Sequence, residues 1–249
     1  MEVITKVVIY FLFALVFGIG IFSLSINGKF TGIGFNKLLN NICIASTLLL
    51  VILIRPHFFS WTSLPFYFAL LAMITRQLVL SENLNLMRLG LFAIQNTAFI
   101  FILYIFLAEG NWFNFLYLLS GGLFLGIITY AMILGHWYLV VPGLSENHLK
   151  KVLKYFWLLL SVKVILSICY FVSDFQYYEM GTSIGMGYMF NWITFLMRVV
   201  WGYLMIGVLG YFTWRLVSMR SIQSATGILY VMTFFVFIGE LIAGHFHFR

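Results

Sequence analysis

Eight apolar runs, each close to the length that crosses a hydrocarbon layer, constrain this chain more than any other feature. They lie near 4–26, 38–54, 62–80, 86–108, 113–140, 152–173, 188–214 and 223–246. An α-helix rises about 1.5 Å per residue, so about 20 residues cover the ~30 Å core of a bilayer. The runs are continuous rather than alternating, which argues against the strands of a membrane barrel. A backbone in lipid must then satisfy its hydrogen bonds within helices. The expected fold class is all-α: a polytopic integral membrane protein of about eight transmembrane helices in one bundle.

Charge is too scarce for a soluble alternative. Of 249 residues 63% are hydrophobic and only 8% charged, too few to cover a domain of this size in water. The net charge of +7 sits mostly between apolar runs. It reads as topology signal and lipid-headgroup contact, so the expected partner is the bilayer and not nucleic acid. The first apolar run is longer than the ~7–15 residues of a signal-peptide core and lacks an A-x-A site, so it reads as a mature helix. Cys43 and Cys169 form no CxxC pair and are expected to be small buried side chains.

The connections carry ordinary punctuation. Turn glycines lie in 27–37, Pro56 and Pro142 end the second and fifth runs, and Ser81 and Ser145 are N-cap candidates. No internal repeat of the transporter kind is visible. Eight spans would put Lys29, Lys37, Arg76, Arg88, Lys150, Lys151, Lys154, Arg215 and Arg220 on one face. Lys6, Arg55 and Arg249 would share the other with Glu109, Asp174 and Glu179. The positive-inside rule then places both termini outside the cytoplasm, in a multi-pass protein of the bacterial inner membrane. The whole of 1–249 reads as a single transmembrane domain. Residues 1–110 form a mainly apolar four-helix half, and 111–249 a half that carries the buried polar and charged groups.

Ionisable residues at depth are the most informative. Lys163, Arg198 and Glu240 each fall roughly 14 Å from the same membrane edge at helical rise. Each sits on a polar stripe: Lys163, Ser167, Tyr170 and Asp174; Asn191, Thr194, Arg198 and Gly202; Thr226, Tyr230, Thr233, Glu240 and Gly244. Two cations and one anion leave an excess charge that must be neutralised, hydrated or matched by a ligand. Such a cluster either pins helices as a structural ion pair or lines a functional path.

His136 is the other feature that raises a functional question. It lies near the cytoplasmic rim beside Trp137 and Tyr138, which read as an aromatic belt. Either it anchors at the interface, or it turns inward on the face of Gly122, Gly126 and Thr129. There it would bond a quinone carbonyl or relay a proton, joined by Gln223 and Thr226. Haem b is less favoured: axial ligands must face each other at one depth, and no second histidine matches His136. An outer pair of His57 with His245 or His247 is the remaining option. The spacing of His245 and His247 does not suit a metal site on one helix face. No hydrolase or metalloprotease motif is present.

The function expected from sequence is thus a membrane-embedded protein of electron-transfer metabolism. It would bind a quinone near the cytoplasmic rim at His136, Tyr138, Gln223, Thr226 and Tyr230. Lys163, Arg198 and Glu240 would act as charge network or proton path, and other membrane subunits of a redox complex would be partners. Two alternatives use the same residues: a small proton-coupled carrier or anion transporter, and a cofactor-free scaffold or assembly subunit.

Overall fold

A computed structural model describes residues 2–24, 28–54, 64–79, 86–141, 143–182 and 187–248. The helices are α1 (Glu2–Phe22), α2 (Gly28–Leu53), α3 (Leu64–Leu78), α4 (Leu86–Ile102), α5 (Trp112–Val140), α6 (Asn147–Ser173), α7 (Tyr188–Val199), α8 (Ile206–Ser218) and α9 (Ile222–Phe248). A π-helical segment, Leu103–Leu107, extends α4, and another, Val200–Met205, joins α7 and α8 into one rod. The described residues thus form an all-α polytopic bundle of eight rods. Seven are long and apolar enough to cross a membrane, the α7–α8 rod being 31 residues long.

The second and third rods differ from expectation. The glycines of 27–37 do not form a turn: α2 already starts at Gly28 and absorbs the break as a kink at Gly32, whose φ is 75°. Glycine reaches that left-handed backbone without a Cβ clash. The short rod is therefore α3, at 15 residues, or ~22 Å of rise. Pro56, His57, Ser81 and Pro142 lie outside the described residues, as do Arg55 and Arg249. Ser145 behaves as expected, its hydroxyl accepting from the Asn147 N–H at 3.4 Å.

The fifth helix sits in the middle. Helix α5 is apolar all round its circumference, the pattern of a helix enclosed by others, and 83% of its apolar window is buried, against 17% for α6. It packs against α1, α9 and α6, with α8 closing between α6 and α9. The expected small-residue contact at Gly122 and Gly126 is made with α1. A Cβ on Gly18 would lie 2.3 Å from the Gly122 carbonyl oxygen and 2.5 Å from the Gly126 Cα. Only small residues allow backbones this close.

Helices α2, α3 and α4 lie on the far side of α1. This side has a polar core of its own. Arg76, expected at the cytoplasmic surface, is buried on α3, where its Nε donates to the Asn40 side chain of α2 at 2.8 Å. Asn40 Nδ2 in turn donates to the Met73 carbonyl at 3.0 Å and to Gln77 at 2.8 Å. Gln95 and Asn96 of α4 are buried as well. The outer surface carries exposed apolar side chains such as Leu158, Ile165, Ile168 and Val172 on α6 and Leu196 and Leu204 on the α7–α8 rod. Cys169 lies on this exposed surface, contrary to expectation, while Cys43 is buried.

Candidate functional site

The three ionisable residues meet between α5, α6, the α7–α8 rod and α9. Arg198 Nη2 donates to Glu240 Oε1 at 2.9 Å, and Lys163 Nζ lies 3.5 Å from Glu240 Oε2. Their side chains are 5% (Arg198), 0% (Lys163) and 1% (Glu240) exposed. Lys163 also donates to the Tyr117 carbonyl at 3.0 Å and sits 4.0 Å from the centre of the Tyr117 ring. One carboxylate therefore bridges two cations, and each cation gains a second partner from a tyrosine.

Glycines make the room. A Cβ on Gly121 would lie 2.4 Å from Glu240 Oε2, 2.4 Å from the Tyr10 hydroxyl and 2.8 Å from Lys163 Nζ. Tyr10, reaching in from α1, donates to the Leu118 carbonyl at 2.9 Å. Beside Arg198 the rod and α9 also come close, a Cβ on Gly239 falling 2.9 Å from the Gly202 Cα and from Arg198 Nη1. The cluster thus occupies space that any larger residue at these positions would take.

The π-helical turn adds Tyr203. Residues five apart fall on nearly the same side of a π-turn, whereas an α-helix would carry them well round the cylinder. The turn therefore brings the Tyr203 ring under Arg198, with the guanidinium 4.6 Å from the ring centre. The Tyr203 hydroxyl is hydrogen-bonded to Ser167 of α6. Towards the Asp174 end the network continues through aromatic rings. Tyr117 stacks on Tyr170 at 4.6 Å, and the Tyr170 hydroxyl bonds His247 Nδ1 at 3.4 Å. His247 Nε2 contacts the Leu107 carbonyl at 3.3 Å. A carbonyl can only accept, so Nε2 carries the proton and Nδ1 accepts from Tyr170.

Two spaces adjoin this network. A small chamber of about 30 Å³ is bounded by Tyr117, Tyr170, Asp174, Arg198 and Tyr203 among others. A larger cleft of about 390 Å³ opens between α6 and the α7–α8 rod, walled by Leu160, Val164, Ile168 and Val199. Ser167, Phe171, Phe195 and Tyr203 belong to both.

Of the residues expected at the cytoplasmic rim, His136 and Tyr230 meet, on the outside of the bundle. His136 is exposed on the outside of the bundle, where its Nδ1 is hydrogen-bonded to the Tyr230 hydroxyl at 2.9 Å. Of the two alternatives for His136, its exposure agrees with the interfacial one and not with the inward-facing one. Tyr230 is also exposed, because at 3.6 residues per turn it lies roughly 80° round α9 from Glu240. Gln223 is exposed too. Thr226 is buried against Gly135 and bonds its own helix at the Ile222 carbonyl. Tyr138 turns away to the Ser145 carbonyl and fastens the α5–α6 connection. Nearby, Glu146 bonds Arg220 Nε at 3.1 Å and lies 3.7 Å from Lys150 Nζ. Its own backbone N–H, then Arg220 and Lys150, hold the Glu146 carboxyl below its ordinary range.

The sequence pattern brings Lys163, Arg198 and Glu240 together but does not point to Tyr117 or Tyr203, and it offers His247 only as an outer haem ligand. Among the described residues no group of three or more His, Cys, Asp or Glu is placed to hold a metal. Both nitrogens of His247 are engaged, by the Tyr170 hydroxyl and the Leu107 carbonyl.

Fold and site together define a polytopic α-helical membrane protein built round a buried cation–carboxylate–cation cluster. Comparison with protein-family models, curated proteins and solved structures finds no match.

Proposed function

We propose that the protein binds a quinone and serves electron-transfer metabolism in a bacterial inner membrane. The quinone would enter sideways from the bilayer into the cleft between α6 and the α7–α8 rod. The observation that carries this reading is the Ser167–Tyr203 hydroxyl pair in the lining of the cleft, with Tyr203 lying against Arg198. A quinone is a flat apolar ring with two carbonyl acceptors. A cleft of about 390 Å³ with apolar walls and a few hydroxyls in its lining suits that chemistry. Phe171 and Phe195, stacked at 4.6 Å on the shared wall, offer ring faces.

Reduction of a quinone to a quinol takes two electrons and two protons. Lys163 and Glu240 lie behind Tyr203 and Arg198 as groups that can exchange protons, whereas Arg198 stays charged and holds the carboxylate. The chain carries no redox group in this reading, so electrons come from partner subunits of a membrane redox complex. Lys150, Lys151, Arg215 and Arg220 at one end, against Glu109, Asp174 and Glu179 at the other, support a cytoplasmic α5–α6 connection and termini on the opposite side.

The test is quinone content after purification in mild detergent, by extraction and reverse-phase chromatography. Wild-type protein is expected to retain quinone, Tyr203→Phe and Ser167→Ala to lose it at least tenfold, and His136→Ala to keep it. Wild-type protein free of quinone, and unable to take up added ubiquinone or menaquinone analogue, would sink the proposal. So would equal loss in His136→Ala.

A further inference from the structure

The cluster is reached differently from its two ends. On the side away from Asp174, apolar residues close over it for more than two helical turns. Phe124, Ile128, Phe156, Ile206, Met232 and Val236 are all buried there, and Phe124 stacks on Phe156 at 6.0 Å. At Gly210 the α6–α8 contact is close, a Cβ there falling 2.5 Å from the Phe156 ring. Ions and water chains do not cross such a layer.

On the side towards Asp174 the surroundings mix aromatic rings with polar groups, Phe171, Phe195 and Phe246 standing beside Ser167, Asp174 and Arg198. The chamber of about 30 Å³ runs from Arg198 past Tyr117 and Tyr170 to Asp174. A cavity needs roughly 10–15 Å³ of this kind of volume to hold one water, and it needs polar partners. The partners are present. Arg198 Nε is a buried donor without a hydrogen-bond partner among the described residues, and the hydroxyls of Tyr170, Tyr203 and Ser167 line the same space. A buried N–H beside a polar cavity of this size is ordinarily satisfied by water.

We propose that this chamber is a hydrated, one-sided vestibule through which the Lys163–Glu240–Arg198 cluster exchanges protons with water at the Asp174 end and with no water at the other. The charged and titratable groups lining it are Tyr117 of α5, Tyr170 and Asp174 of α6, Tyr178, and Arg198 and Tyr203 of the α7–α8 rod. Lys163 of α6 and Glu240 of α9 lie behind Arg198, Tyr10 of α1 packs beside them, and His247 of α9 bonds Tyr170. The inference stands apart from the quinone, because it concerns access to the cluster and not the occupant of the cleft.

Silver ion tests it, being small enough for the chamber, reactive with thiols in water and deliverable to one membrane face. Ser167→Cys is placed in a Cys43→Ala background that retains Cys169. That native thiol, two residues along the same helix, faces outward and is a control for lipid exposure. Glu179→Cys and Lys151→Cys, labelled with a bulky impermeant maleimide, report which face is which in right-side-out and inverted vesicles. The remaining thiols are counted by mass spectrometry. Silver should consume the Ser167→Cys thiol at least tenfold faster from the Glu179→Cys face, with Cys169 spared. Tyr170→Cys, on another wall, is expected to do the same and serves if Ser167→Cys fails to fold. A chamber thiol silent from both faces means a dry chamber and overturns the proposal. Equal reaction from both faces, or faster reaction from the Lys151→Cys face, overturns its one-sidedness.

Discussion

At the scale of single residues, Gly121 and Glu240 set the terms of the buried site. Gly121→Ala would push a methyl into Glu240, Tyr10 and Lys163 at once, and overpacking of this kind costs about 1–3 kcal/mol. Gly90, also helical, has open space where a methyl would go, with nothing within 4 Å. There alanine should stabilise by roughly 0.5–1 kcal/mol. Thermal unfolding in detergent should therefore move the two glycine-to-alanine variants in opposite directions. The charges obey a simple count. Glu240→Gln leaves two buried cations with no anion, and breaking a buried pair costs about 3–5 kcal/mol. Lys163→Met leaves one cation with one anion, bonded at 2.9 Å. Glu240→Gln should thus unfold at a clearly lower temperature than Lys163→Met; the reverse order would overturn the charge count.

Elements explain which parts of the site could be read in the sequence. Lys163, Arg198 and Glu240 were legible because charge in an apolar run is conspicuous and helical rise fixes depth. Tyr203 was not, because a π-turn leaves no mark in residue type and the regular 3.6 period turns Tyr203 away from Arg198. Tyr117 was hidden differently, since it contributes a backbone carbonyl and a ring face among many aromatic residues of an apolar helix. His136 points outward although Leu134, Gly135 and Tyr138 beside it are buried, because a stripe of three small residues fixes the helix rotation too loosely to place a side chain two turns further on. The end of the bundle near His136 offers a pH test. Glu146 joins the start of α6 to Arg220 before α9, and its carboxyl is held below the ordinary range. A depressed carboxylate stabilises the fold above its unfolded pKa, near 4.3, and loses that contribution as pH falls through the folded value. Wild-type protein should melt slightly above Glu146→Gln at neutral pH, and the difference should vanish on acidification below the carboxylate range. A gap that persists there would assign the effect to packing.

Across the whole molecule, α1 links the two stretches of chain that differ in polarity. Helix α1 belongs to the first 110 residues, yet it packs along α5 and α9 and delivers Tyr10 to the charge cluster. What remains outside is the group α2, α3 and α4, joined by its own Arg76–Asn40–Gln77 network. Helix α3 meets only α2 and α4 extensively and, at 15 residues, has little apolar surface to hold it. Its attachment should depend on Arg76 far more than the attachment of any other rod depends on one side chain. Asn40→Leu takes the Asn40 acceptor from a buried guanidinium, whereas Asn40→Leu combined with Arg76→Met removes both groups. Amide exchange in detergent should then rise at least tenfold in α3 for the single variant and return most of the way in the double, since an apolar pair can replace a buried polar one at small cost. Exchange in α5 and α9 should stay unchanged in both. If α9 loosened together with α3, the bundle would be one cooperative unit, and the charge cluster would sense the amino-terminal helices through α1.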